Sequence, residues 1–171
     1  MRVFAEQGFQ RLSVRQIAAA IGTSHTMLLH HFGSKDALLE AVLTRREEME
    51  AAQREVAVAE RGLLDSLPDI MAHNASIRGL IQLDATLRAE AVSPQHAAHA
   101  YMTELGERFL AAVRTAVVRD QAAGRIRADV DPDLTARQLT ALIEGVQVRW
   151  LYDEAVDMAA VVGAYANLLR P

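Results

Sequence analysis

Residues 13–35, SVRQIAAAIGTSHTMLLHHFGSK, decide the fold. Ser13 has the character of a helix N-cap, because Gln16 stands three positions on, where it can return a hydrogen bond, and Val14, Ile17, Ala18 and Ile21 then recur at helical spacing. Gly22 ends that helix, being the residue that most easily takes a positive φ. After only Thr23 and Ser24 a second short helix runs to about His31, with Met27, Leu28 and Phe32 available to face a core. Two helices joined this tightly must cross at a large angle, which is the geometry of a helix-turn-helix whose second helix protrudes. Gly33 and Ser34 close that helix. Ser34 and Asp36 open a longer one from about Lys35 to Glu60, with Asp36 suited to the positive helix end.

Working outward, residues 1–8, MRVFAEQG, read as the last turns of a preceding helix, with Val3 and Phe4 inward and Gly8 as its stop. Beyond Gly62 helix follows helix, with breaks at 74–76, 93–94, 124–132 and 153–157. Pro94 and Pro132 each follow a Ser or Asp, so each is placed in the first turn of a helix, the first of these helices running over 94–123. No strand-like alternation of useful length interrupts this pattern, and the fold is expected to be all-α. The last two helices, about 133–152 and 156–169, are apolar on two sides. Leu139, Leu142, Ile143, Val146 and Trp150 form one stripe, and Ala141, Gly145 and Val148 a second. Met158, Val161, Val162, Tyr165 and Leu169 repeat the first, and Ala159, Gly163 and Ala166 the second. A surface helix needs only one apolar face. Two imply burial against the same chain and against a second copy, so Ala141, Gly145, Val148, Ala159, Gly163 and Ala166 are assigned to a homodimer interface built as a four-helix bundle.

Composition narrows the function classes. Apolar residues make up 51% and aromatics only 5%, so the core must be largely Ala, Leu, Val and Ile, which favours helices. With no cysteine, disulfides and thiolate metal sites are excluded. There is no apolar run of about 18 residues and no basic leader before an apolar segment, so no membrane partner is expected and the cytoplasm is the default location. The net charge of −4 hides an asymmetry: residues 1–46 hold six basic against three acidic side chains, a net of +3, while the remaining 125 residues hold 12 against 19, a net of −7. A short positive module on an acidic body is what a phosphate-binding end and a solvated body look like. No nucleophile with its base, phosphate loop or metal cluster is legible, which sets enzymes aside. His96 and His99 lie three apart with no third ligand, so no metal or cofactor is assigned.

The stretch FAEQGFQRLSVRQIAAAIGTSHTMLLHHFGSKDALLEAVL resembles the N-terminal domain of the TetR/AcrR family of regulators. The resemblance is carried by Phe4, Gly8-Phe9, Ser13-Val14-Arg15, Ile17-Ala18, Gly22, Ser24, His31-Phe32, Ser34-Lys35 and Leu38-Leu39. GRIRADVDPDLTARQLTALIEGVQVRWL resembles, more weakly, the entry to the penultimate helix of many members. The resemblance implies an N-terminal three-helix DNA-binding domain over residues 1–46, its first helix shortened at Met1. A helical ligand-binding and dimerisation domain over 47–171 follows.

It implies a recognition helix over about 24–31 that enters the major groove of a palindromic double-stranded operator. His25, Thr26 and Met27 are then the candidates for base readout, with Thr26 and Met27 able to meet a thymine methyl. Ser13, Ser24, His30, His31 and Lys35 would hold phosphates, and Arg15 either role. Members usually have Tyr where this chain has Leu29, so that phosphate contact is lost or taken over by His30. In this reading a small, apolar or aromatic effector enters the helical body, with Met71, Leu87, Met102, Phe109 and Trp150 as candidate pocket residues. The helix over 35–60 carries the change to the DNA unit, and the chain acts as a repressor. The rival is a helical dimeric module for a small molecule or a protein that has lost operator binding.

Overall fold

A computed structural model describes residues 12–171, and every regular element among them is helical. The helices are α1 (Val14–Ala20), α2 (His25–Phe32), α3 (Lys35–Arg61), α4 (Leu63–Ser76), α5 (Arg78–Glu90), α6 (His99–Ala122), α7 (Pro132–Tyr152) and α8 (Met158–Leu168). The helix and cap expected over residues 1–8 lie outside the described residues. No described helix is long and apolar enough to cross a membrane.

Local chemistry accounts for most helix ends. Ser13 caps α1, accepting from the Gln16 amide at 3.3 Å, while the Gln16 side chain accepts from the Ser13 amide at 2.8 Å. Ser34 caps α3 by accepting from the Ala37 amide at 3.0 Å, and Asp131 caps α7 from the Leu134 amide at 2.9 Å, with Pro132 in the first turn as expected. Pro94 behaves differently. Ser93 turns its hydroxyl to the Gln95 side chain at 2.8 Å rather than to a helix amide, and His96 bonds back to Ser93 at 3.0 Å. Residues 91–98 therefore form successive turns, and the helix expected from 94 begins at His99. His96 lies in those turns, its Nε2 3.8 Å from Glu90, so it does not share a helix face with His99.

Two compact units divide the described residues: 12–51 with 77–102, and 52–76 with 103–171. α5 falls in the first of these units. In the first unit α1 packs on α2, with Leu12, Ile17, Ala18, Leu28, Leu38, Leu39 and Leu43 buried. In the second, α8 packs on both α4 and α7, burying Leu63, Leu64, Leu67 and Met71 from α4, Leu139, Ile143, Val146 and Trp150 from α7, and Met158 and Val162 from α8. The 124–131 loop is tied to the end of α8 by the Arg127 amide, which donates to Leu169 O at 2.9 Å. The same arginine's side chain grips Asp129 through two bonds of 2.9 Å and holds that carboxyl below its ordinary range.

The second unit also contains a fully buried carboxylate, Asp120. It accepts from the Leu63 amide at 2.6 Å and from the Arg125 guanidinium at 2.7 Å, while Arg119 donates to Val58 O at 2.6 Å. These bonds satisfy the facing ends of α3 and α4, which only Gly62 separates. Gly62 has φ +91°, and a Cβ there would lie 2.7 Å from Arg125 Nε. Asp120→Ala is expected to destabilise the protein by about 2–4 kcal/mol, because it strands a buried amide and a half-buried guanidinium. Urea unfolding reads this as a lower midpoint at unchanged slope; a midpoint equal to wild type would remove Asp120 from that role.

Candidate nucleic-acid interface

The first two helices form the unit that the sequence singles out. The end of α1 is a Schellman turn: the Thr23 amide donates to Ala18 O at 2.9 Å and the Gly22 amide to Ala19 O at 3.3 Å, with Gly22 at φ +72°. A Cβ at Gly22 would meet nothing within 4 Å, so glycine is needed there for backbone conformation and not for space. Ser24 then caps α2, accepting from the Met27 amide at 3.1 Å. Gly33, at φ +75°, ends it.

Only one stripe of α2 is anchored. Leu28 is buried and Phe32 half-buried, whereas His25, Thr26, Met27, Leu29, His30 and His31 are exposed. Of the three apolar residues expected to face a core, Met27 instead stands 55% exposed. The base-reading candidates His25, Thr26 and Met27 therefore share the open first turn of α2. Ser13, Arg15 and Ser24 are exposed at or near the helix starts, and Lys35, at the start of α3, is half-buried. His30 and His31 meet edge to face, with ring centroids 5.6 Å apart. A contact the sequence did not reveal joins the turn to the helix: the Thr23 hydroxyl donates to Met27 Sδ at 3.2 Å.

The five candidate pocket residues are less coherent. Met71, Phe109 and Trp150 belong to one compact unit, and Leu87 and Met102 to the other. All are buried except Phe109, which is half-buried. An open hollow of about 420 Å³ lies along α3, lined by Ala37, Glu40, Ala41, Thr44, Arg45 and Glu48, none of them among the five.

The candidate dimer residues separate by helix. On α7, Ala141, Gly145 and Val148 are exposed, in line with exposed Leu134 and Tyr152. On α8, Ala159 and Gly163 are half-buried, and Ala166 is 2% exposed. Ala166 stands one helical turn beyond Val162 and two beyond Met158, so it belongs to the stripe that packs inside its own chain and leaves a partner nothing to cover. The open face of α8 is instead Val161, Ala164 and Leu168, at spacings of three and four.

With that geometry in place, the chain can be set beside known proteins. The family model for bacterial regulatory proteins of the tetR family matches residues 1–42. The HTH-type transcriptional repressor Rv1474c of Mycobacterium tuberculosis is 31% identical over 171 residues, spanning 99% of this chain and 88% of the relative. A TetR-family transcriptional regulator from Rhodococcus sp. superposes with a TM-score of 0.79 at 26% identity, covering 98% of this chain and 92% of the other. FadR from Bacillus subtilis, solved in complex with stearoyl-CoA, shares the fold with a TM-score of 0.78 at 16% identity, over 98% and 91% of the two chains.

The turn at Gly22 allows a prediction independent of any ligand. Gly22→Ala should destabilise the protein by about 1 kcal/mol through its positive φ alone, and Gly22→Asn by less. Thermal unfolding of the three proteins checks the order; a Gly22→Ala protein as stable as wild type would contradict the turn.

Proposed function

The chain belongs to the TetR family of bacterial regulatory proteins, and from that premise we propose that it is a homodimeric, cytoplasmic transcriptional repressor, released from a palindromic operator when a small molecule binds its helical body. The observation that carries this reading is the exposed first turn of α2, presented on a helix whose cap and anchor, Ser24 and Leu28, are both in place. His25, Thr26 and Met27 read base edges, while Ser13, Arg15, Ser24, His30, His31 and Lys35 supply phosphate contacts that set register. Leu29 cannot donate to a phosphate where the family commonly has Tyr, and the neighbouring His30 can.

The body of this repressor takes an apolar or aromatic effector, with Met71, Phe109 and Trp150, which share one compact unit, as the side chains of choice. An effector acts only through unequal affinity for two states, and a coupling of about 1–3 kcal/mol changes operator affinity roughly 5- to 150-fold. α3 is the natural transmitter, being one continuous helix from the DNA unit at Lys35 to Arg61. The dimer forms through α7 and α8. Leu134, Ala141, Gly145, Val148 and Tyr152 recur at spacings of seven, four, three and four, the seam of a helical bundle, and α8 adds half-buried Ala159 and Gly163 with exposed Val161 and Leu168.

Titrating a fluorescent duplex from the region ahead of its own gene, at several salt concentrations, tests the function. Sequence-selective binding that falls steeply with salt is expected. Binding no better than to an unrelated duplex would favour the rival, a helical dimer without operator recognition. Lys35→Ala should weaken all duplexes alike and reduce the salt slope by ~1, whereas Thr26→Ala should change which duplex is preferred. A changed preference with Lys35→Ala would overturn the division of roles.

The interface has its own test. A Cβ at Gly145 would touch nothing within 4 Å in its own chain, so the single chain does not require glycine there. Gly145→Leu should therefore leave the protomer folded while lowering the dimer fraction by overpacking the seam. Sedimentation velocity with far-UV circular dichroism separates the two effects, and an unchanged dimer would exclude this face.

A further inference from the structure

We propose that Thr23 is a positioning residue for operator recognition: its hydroxyl fixes the direction in which the Met27 thioether leaves α2, and thereby the base preference of that helix's first turn. The proposal rests on the reading of α2 as the recognition helix. Thr23 itself does not move freely, because its amide closes the Schellman turn on Ala18 O at 2.9 Å. Its side chain is β-branched and stiff about χ1. The hydroxyl reaches forward to Met27 Sδ at 3.2 Å, and the Met27 amide is held by Ser24 Oγ at 3.1 Å. Met27 is thus fixed at its backbone by one turn residue and at its sulfur by the other.

The need for such a tether follows from the chemistry of methionine. Its side chain has three rotatable bonds and a soft, weakly accepting sulfur. At 55% exposure it has little wall to rest on, so without the hydroxyl it samples several directions. A residue directly before an N-cap commonly packs an apolar group against the first turn of its helix. Thr23 occupies that place and offers a hydrogen-bond donor instead. An apolar, directed thioether on the first turn of a groove-entering helix fits the C5 methyl of thymine better than any other base edge in the major groove.

The test uses the full-length protein and a library of duplexes with a randomised core, followed by single-base variants of the selected duplex. Met27→Ala should abolish a thymine preference at one position of each half-site. Thr23→Val and Thr23→Ala should lose about two- to fivefold of the same discrimination, as expected for a weak sulfur hydrogen bond. Thr23→Ser, which keeps the donor, should retain it, and Thr23→Val added to Met27→Ala should change nothing further. Unfolding midpoints within error of wild type show that the fold is intact, and the serine variant reports on the hydroxyl whichever deletion variant folds. If Met27→Ala alters the profile while Thr23→Val and Thr23→Ala match wild type, the positioning role is overturned and the Met27 reading stands. Equal weakening on all duplexes by Thr23→Val would make Thr23 a phosphate contact and also overturn it. An unchanged profile with Met27→Ala would remove Met27 from base reading, and the proposal with it.

Discussion

One residue, Gly62, separates the end of α3 from the start of α4, and the structure must satisfy two sets of helix-terminal groups in that space. It does so with charges matched to the helix dipoles. The Asp120 carboxylate meets the amide end of α4 at Leu63, and the Arg119 guanidinium meets the carbonyl end of α3 at Val58. Ser66 adds a bond to Gly62 O at 2.7 Å. Arg125, bonded to Asp120 at 2.7 Å, balances the buried charge, and its Nε lies 2.7 Å from where a Cβ on residue 62 would stand. The elbow therefore admits only glycine, and the direction in which α4 leaves α3 is set by side chains from α6 and the turn after it. α3 is unbroken from Lys35 to Arg61, so this cluster closes the far end of the helix that Ser34 opens.

That elbow was the least legible part of the sequence, while the helix-turn-helix was the most legible, and the difference is one of range. Ser13 with Gln16, Gly22 and Ser24 are bonded within five residues of themselves, so their roles are written in adjacent letters. Asp120 and Leu63 are 57 positions apart, and no local rule joins them. One signal was present: Asp120 continues the stripe of Val113, Ala116 and Val117, all buried, and a charge on an apolar stripe calls for a partner. Pro94 shows the opposite failure. The local rule for a proline after serine was satisfied in letters, yet Ser93 spent its hydroxyl on Gln95 and the helix began five residues later. The Thr23 bond to Met27 escaped because a sulfur acceptor carries no motif.

The apolar faces of α7 and α8 illustrate a finer limit. Two stripes on one helix differ by little more than a side chain's width in angle, so periodicity establishes that two faces exist before it settles which residue belongs to which. On α7 the inward stripe is large (Leu139, Ile143, Val146, Trp150) and buried, and the outward one mixes small Ala141 and Gly145 with Leu134, Val148 and Tyr152. On α8 both stripes contain small residues. Ala166 fell inward with Met158 and Val162, and Val161 and Leu168 turned outward, a rotation of about one residue position.

Single exposed apolar side chains are ordinary on any protein surface, so exposure acquires meaning only through spacing and setting. Val92 stands in a turn with no periodic companion. Leu134, Val148 and Tyr152 do have companions, in a seven-residue rhythm along α7 opposite the side that packs inward. Met27 is the third kind: alone, yet held at its sulfur and at its amide by two different side chains. Ordering an exposed side chain costs conformational entropy, and one weak hydrogen bond recovers only part of it within the protein. In the dimer proposed above, a second copy of the chain covers the recurring stripe on α7. In the operator complex proposed above, the groove receives the tethered methionine in one direction. On that proposal, both forms of exposure are the free halves of contacts completed in the assembled complex.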